Sequence, residues 1–461
     1  MMTTAEQCVR ALGRRLVRAG VAILLGACAV AGGAGEPPRP AQRVILISID
    51  GLPAAWLDDA ELRLPHLREL RDRGAWARGL VGVLPATTYP THTTFITGVY
   101  PDRHGIADNR IFDPTGVHRD AWYWYAEDIR VPTLLDAARR AGLSSASIDW
   151  PASVGAAADW LMPEYWRDHT PLDFKLLRAL STAGLVEAAA ARLGAEGASE
   201  SFDPKILAVA LEVLERADPA LTLVHLVDLD HAQHHLGPGS AAARRAAEYA
   251  DQGLGRLLEA LRGAGRLDST AVVVVSDHGF KPVQKSIRPA IRLREAGLLE
   301  VDDANRVQRW RAAAHPAGGV CLFYLFDPSD SEAAGALERL LGGLAAEPSS
   351  GIRRVLTAAE LRAQRADPRA ALGLLAQDGY AFAHALSGPL VVKASRPGEH
   401  GYDPADPDMF GVFVAAGAGV RPGARLEQVR AIQVAPTIAR LLGLALSDAE
   451  GAPIQAILPP P

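Results

Sequence analysis

Short, uninterrupted apolar runs alternate along this chain with longer stretches of helical spacing. Residues 44–49 read VILISI, a continuous β-branched run of the kind found in a strand covered on both faces. The pattern returns at 144–151 (SSASIDWP), 221–227 (LTLVHLV) and 271–276 (AVVVVS), and the last, almost pure valine, is expected at the centre of a sheet. Between these runs the spacing predicts helices over 65–73, ended by Gly74, over 131–141, stopped at Gly142, and over 204–217 and 241–262. Strand, helix, strand in this order argues for an α/β fold: a doubly wound, mostly parallel central sheet with helices on both faces. Further along, a strand is expected at 320–326, final strands at 389–394 and 410–416, a closing helix at 436–442, and a loose tail in IQAILPPP.

Two stretches interrupt the alternation. At about 155–203, Pro163-Glu164-Tyr165-Trp166 leads into an alanine- and leucine-rich segment, expected as an insertion over the site, with Tyr165 a candidate substrate contact. A second insertion or cap, about 287–385, carries no chemistry that its residues announce. One domain over 43–445 accommodates both.

Composition narrows the class. The 461 residues are 49% hydrophobic and 22% charged, as expected of a globular chain. The formal charge of −5 gives no basic field for a nucleic-acid polymer, so a small anionic substrate drawn by local metal charge fits better.

Residues 1–35 read as a signal peptide. Arg10, Arg14, Arg15 and Arg18 precede an apolar run at 19–30 that is too short for a permanent membrane span. Export to the periplasm is the expectation. Leu25-Gly26-Ala27-Cys28 resembles a bacterial lipobox, which would lipidate Cys28 and anchor the protein to a membrane; ordinary cleavage near Ala29-Val30-Ala31 is the alternative. With Cys8 and Cys28 in that segment, Cys321 alone remains for the fold, so no internal disulfide is expected and Cys321 reads as a buried apolar residue.

Chemistry concentrates in 85–109, PATTYPTHTTFITGVYPDRHGIADN. A threonine hydroxyl such as that of Thr87 or Thr88 needs a general base or a coordinating cation to act as a nucleophile. Metal-capable groups follow the apolar runs elsewhere: Asp50 after the first, Asp230 and His234 after the third, Asp277 and His278 after the fourth, and His400 in GEHGYD. Three carboxylates and three imidazoles suit zinc, and six such donors are more than one ion takes, so two ions are the natural reading. Asp50 alone would serve equally as a helix cap. Asp277 beside His278 is stronger, because two adjacent polar groups at a strand end are costly unless paired. Asp230 and His234 have the i, i+4 spacing that puts both on one helical face. Asp228, His225, His231 and His235 compete with them, Asp228 most directly.

The ordered set IDG, TTYPTH through HGIADN, DxxxH, SDHG and GEHGYD resembles the nucleotide pyrophosphatase/phosphodiesterase branch of the alkaline phosphatase superfamily. That resemblance implies an exported two-zinc hydrolase of phosphodiester or pyrophosphate bonds working through a phospho-threonine intermediate. It implies Thr88 as nucleophile and resting ligand of the first ion, and Asn109 as a donor to a non-bridging phosphate oxygen. Asp50, Asp277 and His278 are implied for one zinc site and Asp230, His234 and His400 for the other. His92 and His104 are expected as structural hydrogen bonders, and Thr87 as a turn former. Tyr89, often phenylalanine in that family, keeps an aromatic face for substrate. A phosphomonoesterase or phosphonate hydrolase of the same superfamily, or a non-catalytic exported scaffold, is the alternative. Sulfatase is disfavoured, because neither Cys-x-Pro-x-Arg nor Ser-x-Pro-x-Arg occurs.

Overall fold

The first apolar run forms the strand Arg43–Ile49 near the middle of the main sheet. The structure is a computed structural model that describes residues 40–117, 121–166, 171–193 and 201–459. The leader expected over 1–35, with Cys8 and Cys28, lies outside them. Arg43–Ile49 pairs in parallel with Leu221–Leu226 on one side and Thr270–Val275 on the other. Ser145–Ile148 and Trp160–Met162 extend the first side, also in parallel. On the second side Gly411–Gly417 runs antiparallel to both neighbours, Thr270–Val275 and Ala75–Val81, and Arg425–Leu426 closes the edge.

Alternation along the strands separates two cores. Ile45, Ile47 and Ile49 face a layer that includes the helices Pro65–Arg73, Asp203–Arg216 and Ala241–Gly263. Val44 and Leu46 face the opposite layer, with Thr88–Thr97, Leu134–Arg140 and Val434–Leu442. With both faces covered, the strands need apolar residues at every position, which is why they read as unbroken runs.

Several elements depart from expectation. Ala75–Val81 and Trp160–Met162 are strands of the main sheet that the pattern conceals, the first because Ala, Arg and Gly dilute it and the second because it is three residues long. The expected cap at 155–203 therefore begins as a sheet edge, and Leu185, Val186 and Ala189 of its second helix belong to the main core. Glu164 and Trp166, just after Trp160–Met162, reach His225 and Trp122 respectively. Val391–Lys393 leaves the main sheet for a small one built on Lys281–Ile287. The tail is not loose: Ile454, Ile457 and Leu458 are buried in the second core.

The region 287–385 contains its own antiparallel sheet, Ala312–Ala317, Val320–Leu325, Leu372–Ala376 and Ile352–Leu356 in that order, packed on the helix Ser331–Ala346. Cys321 is buried within it, and burial pushes its thiol well above the usual range. Among the described residues no helix is long and apolar enough to cross a membrane.

Candidate active site

Among the expected carboxylate and imidazole ligands, Asp50, Asp277 and His278 sit just past the carboxyl end of a central strand, where open α/β sheets gather their ligands, and Asp230 and His234 lie on the helix that follows another. Asp50 follows Arg43–Ile49, and its backbone N–H donates to Leu226 O at 2.9 Å. Gly51 next to it has φ +68°, and a Cβ there would meet Phe280 at 2.8 Å, so glycine alone lets the chain turn with Asp50 aimed inward. Asp230 and His234 lie on the helix Asp228–Leu236, and Asp277 and His278 follow Thr270–Val275. His400 comes from a loop pinned under the inserted sheet: its carbonyl accepts Gly319 N–H at 2.9 Å, and a Cβ at Gly401 would strike Ala317 O at 2.1 Å.

Thr88 opens the helix Thr88–Thr97, all of whose residues are buried. Five threonines make it a poor helix by propensity. Burial supports it, and so do back-bonds from Thr94 Oγ1 to Pro90 O at 2.9 Å and from Thr97 Oγ1 to Thr93 O at 2.7 Å. The partial positive charge of the helix start favours an anion beside Thr88. Thr87, at the N-cap, forms no side-chain cap and its Oγ1 is buried without a partner, so the side-chain hydrogen bond expected of it is absent, although its backbone N–H donates to Pro85 O at 2.9 Å.

The six groups converge. His278 Nε2 lies 3.1 Å from Asp277 Oδ2, 3.5 Å from Asp50 Oδ1 and 3.4 Å from Thr88 Oγ1. His234 Nε2 lies 3.5 Å and His400 Nε2 3.8 Å from Asp230 Oδ1. The His278 and His400 rings stack with centroids 3.8 Å apart. Ligand atoms of Asp230, His234 and His400 fall within 4.8 Å of one another, as do those of Asp50, Asp230 and His278. Asp230 thus bridges the two groups, while Asp277, expected in the first triplet, stands beside it with Oδ1 accepting Gly51 N–H at 3.1 Å.

The donor set fits metal ions on two counts. Asp50 Oδ1, Asp230 Oδ1 and Asp277 Oδ2 are buried and receive no hydrogen bond, an expensive state for carboxylates unless a cation faces them. Each imidazole, moreover, has Nδ1 against a backbone carbonyl, His234 on Gly398 O at 3.1 Å, His278 on Gly279 O at 3.2 Å and His400 on Ala86 O at 3.2 Å. That fixes the tautomer and leaves Nε2 as a free lone pair toward the centre.

The electrostatics agree. Burial, then repulsion from Asp277 and Asp230, pushes the Asp50 carboxyl well above its usual range. Burial works the same way on Asp277, but the neighbouring His278, His92 and His225 outweigh it and hold that carboxyl low. Burial and the neighbouring His278 and His234 push the His400 imidazole well below its usual value, which keeps it unprotonated.

Asn109 Oδ1 accepts Tyr89 N–H at 2.8 Å, so its amide N–H groups point away from that bond as donors. Tyr89, expected to offer an aromatic face, is wholly buried among Ile106, Tyr123 and Ala152, because the helix start turns its side chain into the core. Trp122, which packs edge-on against Tyr89 at 5.3 Å and Trp166 at 4.8 Å, lines the pocket instead. Tyr165 is half-buried, its ring 5.1 Å from Trp124, and is not among the residues lining the pocket. That pocket, of about 560 Å³, runs past Thr87, Asn109, Trp122, His234 and His400 to the inserted sheet, which contributes His315. His315 Nε2 meets Asp108 Oδ2 at 2.8 Å, tying the insertion to the loop that carries Asn109. Arg110, Arg306 and Arg396 add positive charge along its wall.

The competing residues separate cleanly. Asp228 accepts Phe202 and Asp203 N–H at 2.8 and 3.1 Å while Asp203 accepts Val227 and Asp228 N–H at 2.7 and 3.1 Å, a reciprocal capping of two helices. His231 and His235 are exposed, with ring centroids 4.4 Å apart, and join neither group. His92 donates from Nδ1 to Thr88 O at 2.8 Å and accepts from Ser48 Oγ at 2.8 Å. His104 accepts Ile106 N–H at 3.1 Å and donates to Thr94 Oγ1 at 3.0 Å. Both are structural, as expected.

The family model described as type I phosphodiesterase / nucleotide pyrophosphatase matches residues 44–403. The chain belongs to this family. Relatives include ectonucleotide pyrophosphatase/phosphodiesterase family member 3 of Rattus norvegicus, 27% identical over 54% of this chain and 25% of its own length. Family member 1 of Mus musculus is 23% identical over 87% of this chain and 40% of its own length. The chain thus spans a quarter to two-fifths of these relatives. Human ectonucleotide pyrophosphatase/phosphodiesterase 5 shares the fold, with a TM-score of 0.65 at 20% identity over 91% of this chain and 100% of the other. An inactive murine form of that protein, in complex with AMP, superposes with a TM-score of 0.63 at 19% identity, with the same coverage.

Proposed function

We propose that this protein is an exported, two-zinc phosphodiesterase that cleaves phosphodiester or pyrophosphate bonds of nucleotide-type substrates through a phospho-threonine intermediate. The observation that carries the reading is the gathering of three buried carboxylate oxygens that receive no hydrogen bond with three imidazole Nε2 atoms, one of which, that of His278, lies 3.4 Å from the Thr88 hydroxyl at the start of a buried helix. Asp50, Asp277 and His278 would hold one ion and Asp230, His234 and His400 the other, with Asp230 near both. Bound there, zinc supplies Lewis-acid stabilisation of charge on phosphate oxygens and lowers the pKa of a coordinated hydroxyl.

Thr88 Oγ1 attacks phosphorus, losing its proton as the bond to the leaving oxygen breaks; water then opens the threonine ester. The Asn109 amide and the helix start receive the growing negative charge on a non-bridging oxygen. The complex of a homologous fold with AMP supports a nucleotide as the organic part of the substrate. The neutral Asn109 supports a diester, whose phosphate carries a single negative charge.

On one zinc-loaded preparation, bis-p-nitrophenyl phosphate or a nucleotide phenyl ester should turn over well above p-nitrophenyl phosphate. The arginines along the pocket wall favour the second reading, a phosphomonoesterase, and equal or better kcat/KM on the monoester would establish it over the first. A chain purified in zinc with no bound metal would support the scaffold reading. Periplasmic export, with anchoring through Cys28, is part of the proposal. Cys28→Ser should release the protein from the membrane fraction, whereas unchanged partitioning with a mature N-terminus beyond residue 28 would leave an unanchored exported enzyme.

A further inference from the structure

His225 sits in the strand Leu221–Leu226 at a position where the pattern calls for an apolar side chain, and it is fully buried. An imidazole there costs stability unless both ring nitrogens find partners. Both do. Nε2 lies 3.1 Å from Asp50 Oδ2, the oxygen turned away from the ligand cluster. Nδ1 lies 3.0 Å from Asp149 O and 3.6 Å from Glu164 Oε2. The Asp149 carbonyl reaches it because Asp149 adopts φ +55° at the end of Ser145–Ile148. Glu164 is itself held by Trp166, whose Nε1 donates to Oε1 at 3.3 Å.

The neighbouring strand completes the arrangement. Ser48 stands opposite His225 in register and hydrogen-bonds His92, whose ring centroid is 4.3 Å from that of His225. The two rings form a floor, His92 under the Thr88 carbonyl and His225 under Asp50. With Oδ2 occupied by the His225 N–H, Asp50 presents Oδ1, which has no hydrogen-bond donor and lies 3.5 Å from His278 Nε2. A carboxylate fixed on one oxygen in this way offers the other to a cation in a single orientation.

We propose that His225, backed by Glu164, is a positioning residue that fixes Asp50 as a ligand of the first metal ion, so that Pro163–Trp166 supports that ion's affinity from behind. The proposal rests on the metal reading above. Gln carries an amide nitrogen as many bonds from Cα as His Nε2 and so keeps the donor, whereas Phe keeps the ring and removes it.

The test uses the full chain loaded with zinc and titrated with a competing chelator, and cobalt-substituted samples followed by visible absorption. His225→Phe should surrender one of two ions at about 10- to 100-fold weaker affinity, keep the other, and show an altered cobalt spectrum. His225→Gln should return affinity to within a few-fold of wild type with the wild-type spectrum, a rescue that mere core packing would not give. Glu164→Gln should weaken the same ion by a few-fold, and it carries the test if the Phe variant does not fold. Two ions held by His225→Phe as tightly as by wild type, a Gln variant as weak as the Phe variant, or wild-type affinity in Glu164→Gln would each overturn the proposal. A wild-type chain that binds no metal would instead overturn the metal reading on which it stands.

Discussion

The carboxyl ends of the central strands and the inserted sheet of 312–376 both border the pocket, yet they are built by opposite rules. At the strand ends, five of the six candidate carboxylate and imidazole ligands follow strands that are buried at every residue but Arg43, three directly and two on the helix Asp228–Leu236, so the register of the sheet sets where they emerge. The inserted sheet has its own core and lines the pocket with residues 313–318, His315 among them, next to the hairpin that pins His400. The candidate metal ligands belong chiefly to the first region and much of the pocket wall to the second. Substitutions should therefore split into those that abolish turnover and those that change what is bound.

Thr88→Ala makes the sharpest test of that division: turnover of bis-p-nitrophenyl phosphate should drop about 10³-fold or more, with zinc content unchanged by elemental analysis. Full retention of rate would break the division at its root. Asp277→Asn and His400→Ala come next, each weakening metal binding by about 10- to 100-fold and taking most of the activity with it. Asp228→Ala, in the same sequence neighbourhood as Asp230, should instead keep its metal and lose about 1–2 kcal/mol of stability through the lost helix cap, read as a lower Tm. If Asp228→Ala emptied the site while Asp230→Ala left it filled, the ligand assignment would fall.

On the other side of the comparison, His315→Ala should raise KM a few-fold with little change in kcat, because it loosens the loop around Asn109 without touching the phosphate. An equal loss of kcat would move His315 into the chemistry. The remaining test leaves both regions of the pocket and turns on pH. Burial pushes the His104 imidazole down to about 3, below its ordinary 6.5, so the unfolded chain binds the proton that the folded chain refuses. Stability therefore rises with pH between about 3 and 6.5, by at most about 1.4 kcal/mol per unit from this group. Replacing His104 with Gln should flatten that slope in chemical denaturation carried out from pH 4 to 7.

How much of this was legible follows from the same division. A strand covered on both faces advertises itself as an unbroken apolar run, so Arg43–Ile49, Leu221–Leu226 and Thr270–Val275 could be read directly, and the ligands after them with little more. Ala75–Val81 lies toward the edge of the same sheet, where Arg78 can stay exposed, and its pattern is correspondingly diluted. The pocket-facing place of Trp122 was hidden because Tyr89, one step after the candidate nucleophile in sequence, turns into the core when Thr88 opens a helix. His225 lies inside an apolar run and announces no role there. Its significance depends on Asp50 and Glu164, distant in sequence, arriving on either side of one ring. His315 offered no signal at all, since its partner Asp108 is brought to it only by the docking of a separate sheet.

The hairpin at Gly318 and Gly319 that grips His400 has a mechanical meaning. Because one candidate ligand is clasped by the inserted sheet on its carbonyl side and by Ala86 on its ring, that sheet cannot swing outward as a lid without carrying the imidazole away with it. Opening by hinge motion would draw one candidate metal ligand out of its group.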